Sequence, residues 1–288
     1  MTPVRFTPPG GYQLGVEVIA AAELRARVAR LKGRGFERID FHCLLVVTSG
    51  TYTHTVDFET YKCTRGSVVQ VQPGQVHRFG DEPGWAGWFV ILRSDLPTAG
   101  SGSMAADVAS RTAALPAHLR TSGGTNEAVI EALERMARDT VERGDARLKN
   151  ELLIAQFHSL IARLQLVHVA VAGHSAVDPR LAERYRYFFN TAEREFRRWH
   201  GAAPYAAELG YSVKSLDRAT LAVAGVTTKE WLVARIVLEA QRLLAHTTLP
   251  VSAISQELGF DEATNFVKFF RRETGVTPGL FRSQRPAV

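Results

Sequence analysis

Glu208-Leu209-Gly210-Tyr211 and Glu257-Leu258-Gly259-Phe260 are two copies of one short pattern, 49 residues apart. In each copy a small residue, Ala206 or Ser255, stands four positions before the glycine, at the end of a short helical run. A second amphipathic segment follows the turn. Two helices that cross steeply need a small side chain where they touch, and the tight turn between them favours a residue that takes positive φ without a Cβ clash. Ser212 is placed to open a helix over Val213–Leu221, and Asp261 to open one over Glu262–Glu273. The repeat therefore predicts two helix-turn-helix units at the C-terminal end of the chain.

The outward faces of the second helices carry Lys214, Asp217 and Arg218 in the first unit and Thr264, Asn265 and Lys268 in the second. Asn bonds adenine bidentately, Arg and Lys bond guanine, and a helix has the width of a major groove. A solvated helix face accounts for any one of these residues alone. Their recurrence at matching places in two copies favours the reading of base edges in DNA. Thr228–His246 lies between the units, with Trp231, Leu232, Ile236, Leu238, Leu243 and Leu244 as its apolar positions. At about 1.5 Å per residue such a helix holds the units roughly one turn of B-DNA apart. Arg271, Arg272 and Arg282 suit phosphate contacts, which govern affinity and salt dependence rather than sequence choice.

The run from Arg235 through Ala240, Leu243-Leu244, Ile254, Leu258-Gly259-Phe260, Asn265-Phe266, Phe269-Phe270-Arg271, Gly275 and Thr277-Pro278 to Phe281-Arg282 resembles the C-terminal signature of the AraC/XylS family of transcriptional regulators. The resemblance covers about 100 residues. It includes the one-residue difference between the two units, since Tyr211 to Gly225 is 14 residues and Phe260 to Gly275 is 15. It implies two helices that read promoter DNA, a homodimer and a small-molecule effector, with RNA polymerase as a further partner. The first unit departs from the pattern: the usual phenylalanine near Leu221 is missing, and Asp217 is acidic.

Composition agrees with two folded domains. The chain has 288 residues, 45% of them hydrophobic and 22% charged, as in an ordinary globular protein. Of the net charge of +6, residues 178–288 carry +4, with 16 Lys and Arg against 12 Asp and Glu. This polarity suits a polyanionic partner. Met1–Gly15 contains no continuous apolar segment of the secretory kind, and Leu148–Val171 is interrupted by too many polar residues for a lipid-embedded span. Cys43 and Cys63 form no C-x-x-C and fit reduced thiols. A cytoplasmic protein is expected, with no membrane partner.

Upstream, Ile39–Thr48, Thr51–Phe58, Val68–Gln72 and Trp85–Leu92 are strand-like, punctuated by Gly50, Gly66, Pro73-Gly74 and Pro83-Gly84, and Tyr12–Ile19 offers another strand. Gly66 through His77 is similar to the second motif of cupin barrels. The expected fold class is α+β multidomain: a cupin-like β-barrel over residues 1–98, a linker and helical dimerisation segment over 99–177, and an all-α domain with the two helix-turn-helix units over 178–288. Ser94–Ser103 is the expected exit from the barrel. His42, Tyr52, His54, His77, Trp85 and Trp88 are the candidate effector pocket, although each also suits a barrel core. A metal-dependent cupin enzyme using His42, His54 and His77 is the rival reading. The strand around His54 offers one histidine where a metal site wants several convergent ligands, so no metal, cofactor or catalytic residue is assigned.

In the helical segment, apolar residues recur from Val129 to Val141, and Leu153, Phe157, Leu160 and Leu164 form a seam spaced by 4, 3 and 4. That seam suits a contact between two subunits, and it suits packing on the preceding helix equally well.

Overall fold

Strand β4 (Phe41–Ser49) is apolar at successive positions rather than alternate ones, and its surroundings explain why: it is covered on both faces. Even-numbered Leu44 and Val46 belong to one core, and Cys43, Leu45 and Val47 to another. The computed structural model describes residues 2–7, 12, 14–28, 35–94, 108, 111–112, 115–172 and 177–284. The chain divides into two compact units, Thr2–Ser175 and Ala176–Val288.

In the first unit, β1 (Thr2–Val4), β3 (Glu37–Ile39), β8 (Val76–Phe79), β5 (Thr51–Val56) and β6 (Glu59–Thr64) form one sheet in that order. A second sheet has the order β10 (His118–Arg120), β7 (Ser67–Val71), β4, β9 (Ala86–Arg93) and β2 (Val16–Ala20). All pairings are antiparallel except β1 with β3. The two sheets enclose Ile39, Leu45, Tyr52, Val69, Phe89 and Ile91, giving the expected cupin-like architecture. Helix α1 (Ala21–Val28) follows β2.

The outer face of the second sheet is covered by α2 (Gly123–Val141) and α3 (Ala146–Ala172). Val129, Leu133 and Met136 of α2 meet the seam of α3 there. The structure thus decides the open question about that seam: Leu153, Phe157, Leu160 and Leu164 are 0–1% exposed within their own chain. They are not available to a second subunit, because the sheet and α2 already cover them. The same packing accounts for the apolarity of the inner face of α3, a helix long and apolar enough by length and composition to cross a membrane, while Leu148, Leu152, Leu166 and Val169 on its other face stay exposed.

Five strands were not anticipated, among them the three-residue β1 and β3, which pair with each other. β6 exposes most of its polar side chains and shows no clear apolar alternation; β8 is only four residues long, and β10 becomes a strand by pairing with the distant β7. Most of the expected exit segment, residues 95–103, lies outside the described residues.

The second unit is helical. α4 (Pro179–Glu195) is capped by Asp178, whose side chain accepts from the Arg180 amide. α5 (Ala202–Glu208) and α6 (Val213–Ala224) form the first helix-turn-helix, and α8 (Val251–Glu257) and α9 (Ala263–Thr274) the second. The long α7 (Thr228–His246) joins them, opened by a reciprocal capping box of Thr227 and Glu230. α10 (Pro278–Ser283) packs Phe281 on Phe270. Ser212 caps α6 as expected, whereas α9 starts one residue late, with Glu262 rather than Asp261 at its N-cap. Its entry is held by Phe260 against Phe266 and Phe269.

The duplicated turns are not equivalent. Gly210 (φ +67°) has open space where a Cβ would stand, whereas a Cβ on Gly259 (φ +76°) would overlap the Arg197 carbonyl oxygen. Gly210→Ala is therefore expected to cost about 1–2 kcal/mol for its left-handed backbone alone. Gly259→Ala carries an added overlap and is expected to cost about 2–4 kcal/mol. Chemical denaturation followed by the helical circular dichroism of the two variants checks the ordering.

Candidate nucleic-acid interface and barrel interior

Each recognition helix buries one face and leaves the other in solvent. In α6, Leu216, Ala219 and Thr220 point inward while Lys214 and Arg218 are exposed. In α9, Phe266 and Phe270 point inward while Thr264, Asn265 and Lys268 are exposed. This separation follows from the amphipathic spacing, since residues three and four apart share a face. Five of the six candidate base-reading side chains therefore stand on open helix surface.

Asp217 does not. Its Oδ1 accepts a hydrogen bond from the Thr228 amide at 3.0 Å, so the carboxylate is committed to the first turn of α7. An acidic group there satisfies an orphan donor and complements the helix dipole. Beside it, the buried Thr220 hydroxyl donates to the Leu216 carbonyl at 2.9 Å and lies 3.2 Å from the Thr228 hydroxyl. Asp217, Thr220 and Thr228 thus form one polar junction between α6 and α7.

The candidate phosphate ligands also separate. Arg271 and Arg272 are exposed; Arg272 donates to Glu273 at 2.6 Å and stacks 5.5 Å from the Phe269 ring. Arg282 instead donates to the Leu244 carbonyl at 3.3 Å and the Leu249 carbonyl at 2.6 Å. It closes the C-terminal end of α7, where helix carbonyls have no internal partner. Sequence reasoning passed over Lys229, which lines a cleft of about 760 Å³ with Val233, Val237, Gln241 and Arg272. Its signal was a lone exposed cation beside a capping box, too common to single out.

In the first unit, the candidate pocket residues fall on two sides of a sheet. Tyr52, His54, His77 and Trp85 come together between the sheets. Tyr52 stacks on Trp85 with centroids 4.1 Å apart, its hydroxyl lies 2.9 Å from His54 Nδ1, and the His54 and His77 rings stack at 5.3 Å. Phe79 meets both imidazoles edge-on at 4.8 and 5.2 Å. His42 faces the other way, lining a void of about 10 Å³ with Gln70, Thr112 and Phe157. Trp88 packs on the same helical side. Strand alternation separates these two from the others, so the three imidazoles of the rival enzyme reading do not converge on one point.

Burial dominates the electrostatics of this interior. It pushes His42 and His77 down to about 4 and, together with the neighbouring His77, holds His54 well below the ordinary imidazole value. The Cys43 thiol is pushed up to about 12 and Cys63 to about 11, so both stay protonated near neutrality. His54 Nε2 and His77 Nδ1 have no hydrogen-bond partner among the described residues.

Residues 205–284 match the helix-turn-helix domain family, and residues 23–97 match the AraC-like ligand binding domain family. Among characterised relatives, the chain is 26% identical over 251 residues to the HTH-type transcriptional activator RhaS of Enterobacter sp. (strain 638), covering 86% of this chain and 87% of the relative. It is 24% identical over 257 residues to RhaS of Salmonella schwarzengrund, with the same coverage. Among solved structures it is similar to ToxT from Vibrio cholerae, at 12% identity, with 94% of this chain and 98% of that chain covered and a TM-score of 0.41. A ligand-binding double sheet followed by two helix-turn-helix units defines a DNA-binding transcriptional regulator. The chain belongs to the AraC/XylS family of such regulators.

Because the interior histidines are neutral when folded, the unfolded chain binds more protons below the ordinary imidazole value of 6.5. Their contribution is fully present above that value and is lost as pH falls from 6.5 towards about 4. The loss is about 1.4 kcal/mol per pH unit for each proton taken up. Amide exchange in β5 and β8, corrected for intrinsic rates, should show protection falling between pH 7 and pH 5, and His77→Gln should flatten the dependence.

Proposed function

We propose that the protein is a homodimeric, effector-responsive regulator that inserts α6 and α9 into successive major grooves of promoter DNA. The observation that carries this reading is the matched exposure of Lys214 and Arg218 on one recognition helix and Thr264, Asn265 and Lys268 on the other, with both helices packed in one unit around α7. Arg271, Arg272 and Lys229 supply phosphate contacts beside them. Asp217 and Arg282 serve the scaffold. RNA polymerase is the further partner of a regulator of this kind, and the cytoplasm its compartment.

The effector, a small molecule, enters between the two sheets, where the unpaired imidazole nitrogens of His54 and His77 stand among aromatic walls. Such a setting orients a ligand through a few polar groups in an apolar enclosure.

The dimer contact lies on the solvent side of α3. Leu148, Leu152, Ala155, Ser159, Ala162, Leu166 and Val169 are all exposed and are separated alternately by four and three residues. Leu152 and Leu166 are 46% and 73% exposed, far more than a leucine needs to be on a helix whose other face is in a core. The stripe has large residues at its ends and small ones at its middle, nearly the same in either direction about Ser159. A two-fold antiparallel pairing would set Leu152 of each copy against Leu166 of the other, as an isologous contact requires.

Two experiments test these assignments. Replacing Asn265 or Lys268 by alanine is expected to weaken binding to an operator selected by the wild-type chain by about 1–3 kcal/mol, with the fold unchanged; undiminished specific binding by both variants refutes the base-reading role. Leu152→Glu or Leu166→Glu is expected to convert a dimer into a folded monomer in sedimentation velocity. A dimer that survives both substitutions places the contact elsewhere.

A further inference from the structure

The segment that leads into the first helix-turn-helix is fastened to the turn of the second. His200 lies 2.8 Å through Nε2 from the Leu258 carbonyl oxygen, and its ring sits 4.6 Å from Phe260. A carbonyl only accepts, so Nε2 carries the proton and donates. Leu258 is the C-cap of α8, whose last carbonyls have no partner within the helix. One residue on, Gly259 lies so close to the Arg197 carbonyl that no side chain would fit between them. The Arg197 guanidinium then reaches Glu239 of α7 at 3.0 Å and Glu257 of α8 at 4.0 Å. The turn of the first unit has no counterpart to this backbone approach, since a Cβ on Gly210 would meet nothing within 4 Å.

These contacts have a consequence for DNA. α7 sets the distance between the recognition helices and packs against both units, with Asp217 of α6 bonded to its first turn and Arg282 of α10 to its last. The fastening of Arg197 and His200 to the Leu258-Gly259-Phe260 turn adds a direct tether between the units that does not run through α7. We infer that this clamp makes the protein read the spacing between its two half-elements, with His200 as a positioning residue that touches no base. The inference rests on the two-groove reading above. One inserted base pair moves the second half-element by about 3.4 Å along the axis and turns it by roughly a tenth of a revolution. A rigid pair of helices cannot follow that displacement, whereas a loosened pair follows it in part. Specificity of this kind comes from a penalty on the wrong partner rather than a contact with the right one.

The test uses the full chain and an operator selected by the wild-type protein, compared with the same duplex lengthened or shortened by one base pair between half-elements and with a duplex holding one half-element. Fluorescence anisotropy is expected to show the wild type losing about tenfold or more in affinity on either change of spacing, a difference of at least one decade. His200→Ala is expected to lose less than about threefold, and His200→Gln, whose amide can donate to the same carbonyl, to restore the discrimination. All three are expected to bind the single half-element alike, a result that a general loss of stability would not produce. Full spacing discrimination by a folded His200→Ala, or none by the wild type, overturns the clamp. A wild type that selects no sequence overturns the DNA reading instead. Should His200→Ala fail to fold, Glu257→Gln, at a part-exposed carboxylate, is expected to relax the spacing preference in the same direction, and its full retention overturns the inference.

Discussion

A single buried carboxylate organises the DNA-binding unit. Glu239 is 0% exposed, and its oxygens meet Arg197 at 3.0 Å, Arg242 at 3.2 Å and Arg235 at 3.3 Å. Taking a charge out of water costs several kcal/mol unless its partners are close and its lone pairs are used. Three guanidiniums provide that here: Arg235 and Arg242 from one turn to either side on α7 itself, and Arg197 from the segment after α4. Arg235 also pairs with Glu193 of α4 at 2.8 Å and lies 4.0 Å over the Phe196 ring. Burial alone would weaken its hold on the proton, yet Glu193 and Glu239 raise its pKa above the ordinary guanidinium value. The network locks α7 to α4 and to the loop after it, so the helix that bears both reading units has one orientation.

Around this lock the reading surface is left free. The aromatic side chains do the packing: Phe188 and Phe189 of α4 meet Trp231 of α7 at 5.3 and 5.6 Å, and Phe266, Phe270 and Phe281 form a chain of ring contacts in the second unit. The polar side chains of α6 and α9 are then not needed for stability, which is the condition for using them to recognise something else. The first unit of the chain follows a similar division. Its second sheet is covered on both faces, by the first sheet and by α2 and α3, and this leaves the solvent side of α3 with an apolar stripe that is exposed among the described residues.

Several side chains changed role between sequence and structure, each for the same kind of reason. Asp217 and Arg282 have the charge and exposure pattern of DNA ligands when read along their helices, but each finds a backbone group left unpaired by a neighbouring helix end. His42 and Trp88 lie in strands that contribute to the interior, yet alternation turns them to the opposite side of the sheet. Leu153, Phe157, Leu160 and Leu164 have the spacing of a paired helix, and the partner proves to be the same chain. A periodic pattern shows that a face is buried, and it does not identify what buries it.

The sequence by itself determined the two helix-turn-helix units, because their cause is local: a small residue at the crossing, a glycine in the turn and an apolar stripe repeated 49 residues later. It also determined the strand-rich first unit and the exposed faces of α6 and α9, which follow from helical and strand periodicity within a few residues. Only the tertiary structure decided the pairing of β10 with β7, the burial of Glu239 among three arginines and the clamp from His200 to Leu258. The strand pairing, the Arg197–Glu239 pair and the clamp join residues far apart in the chain, and the burial that gives Glu239 its weight depends on exclusion from water, which is not encoded in the spacing of residues along a line.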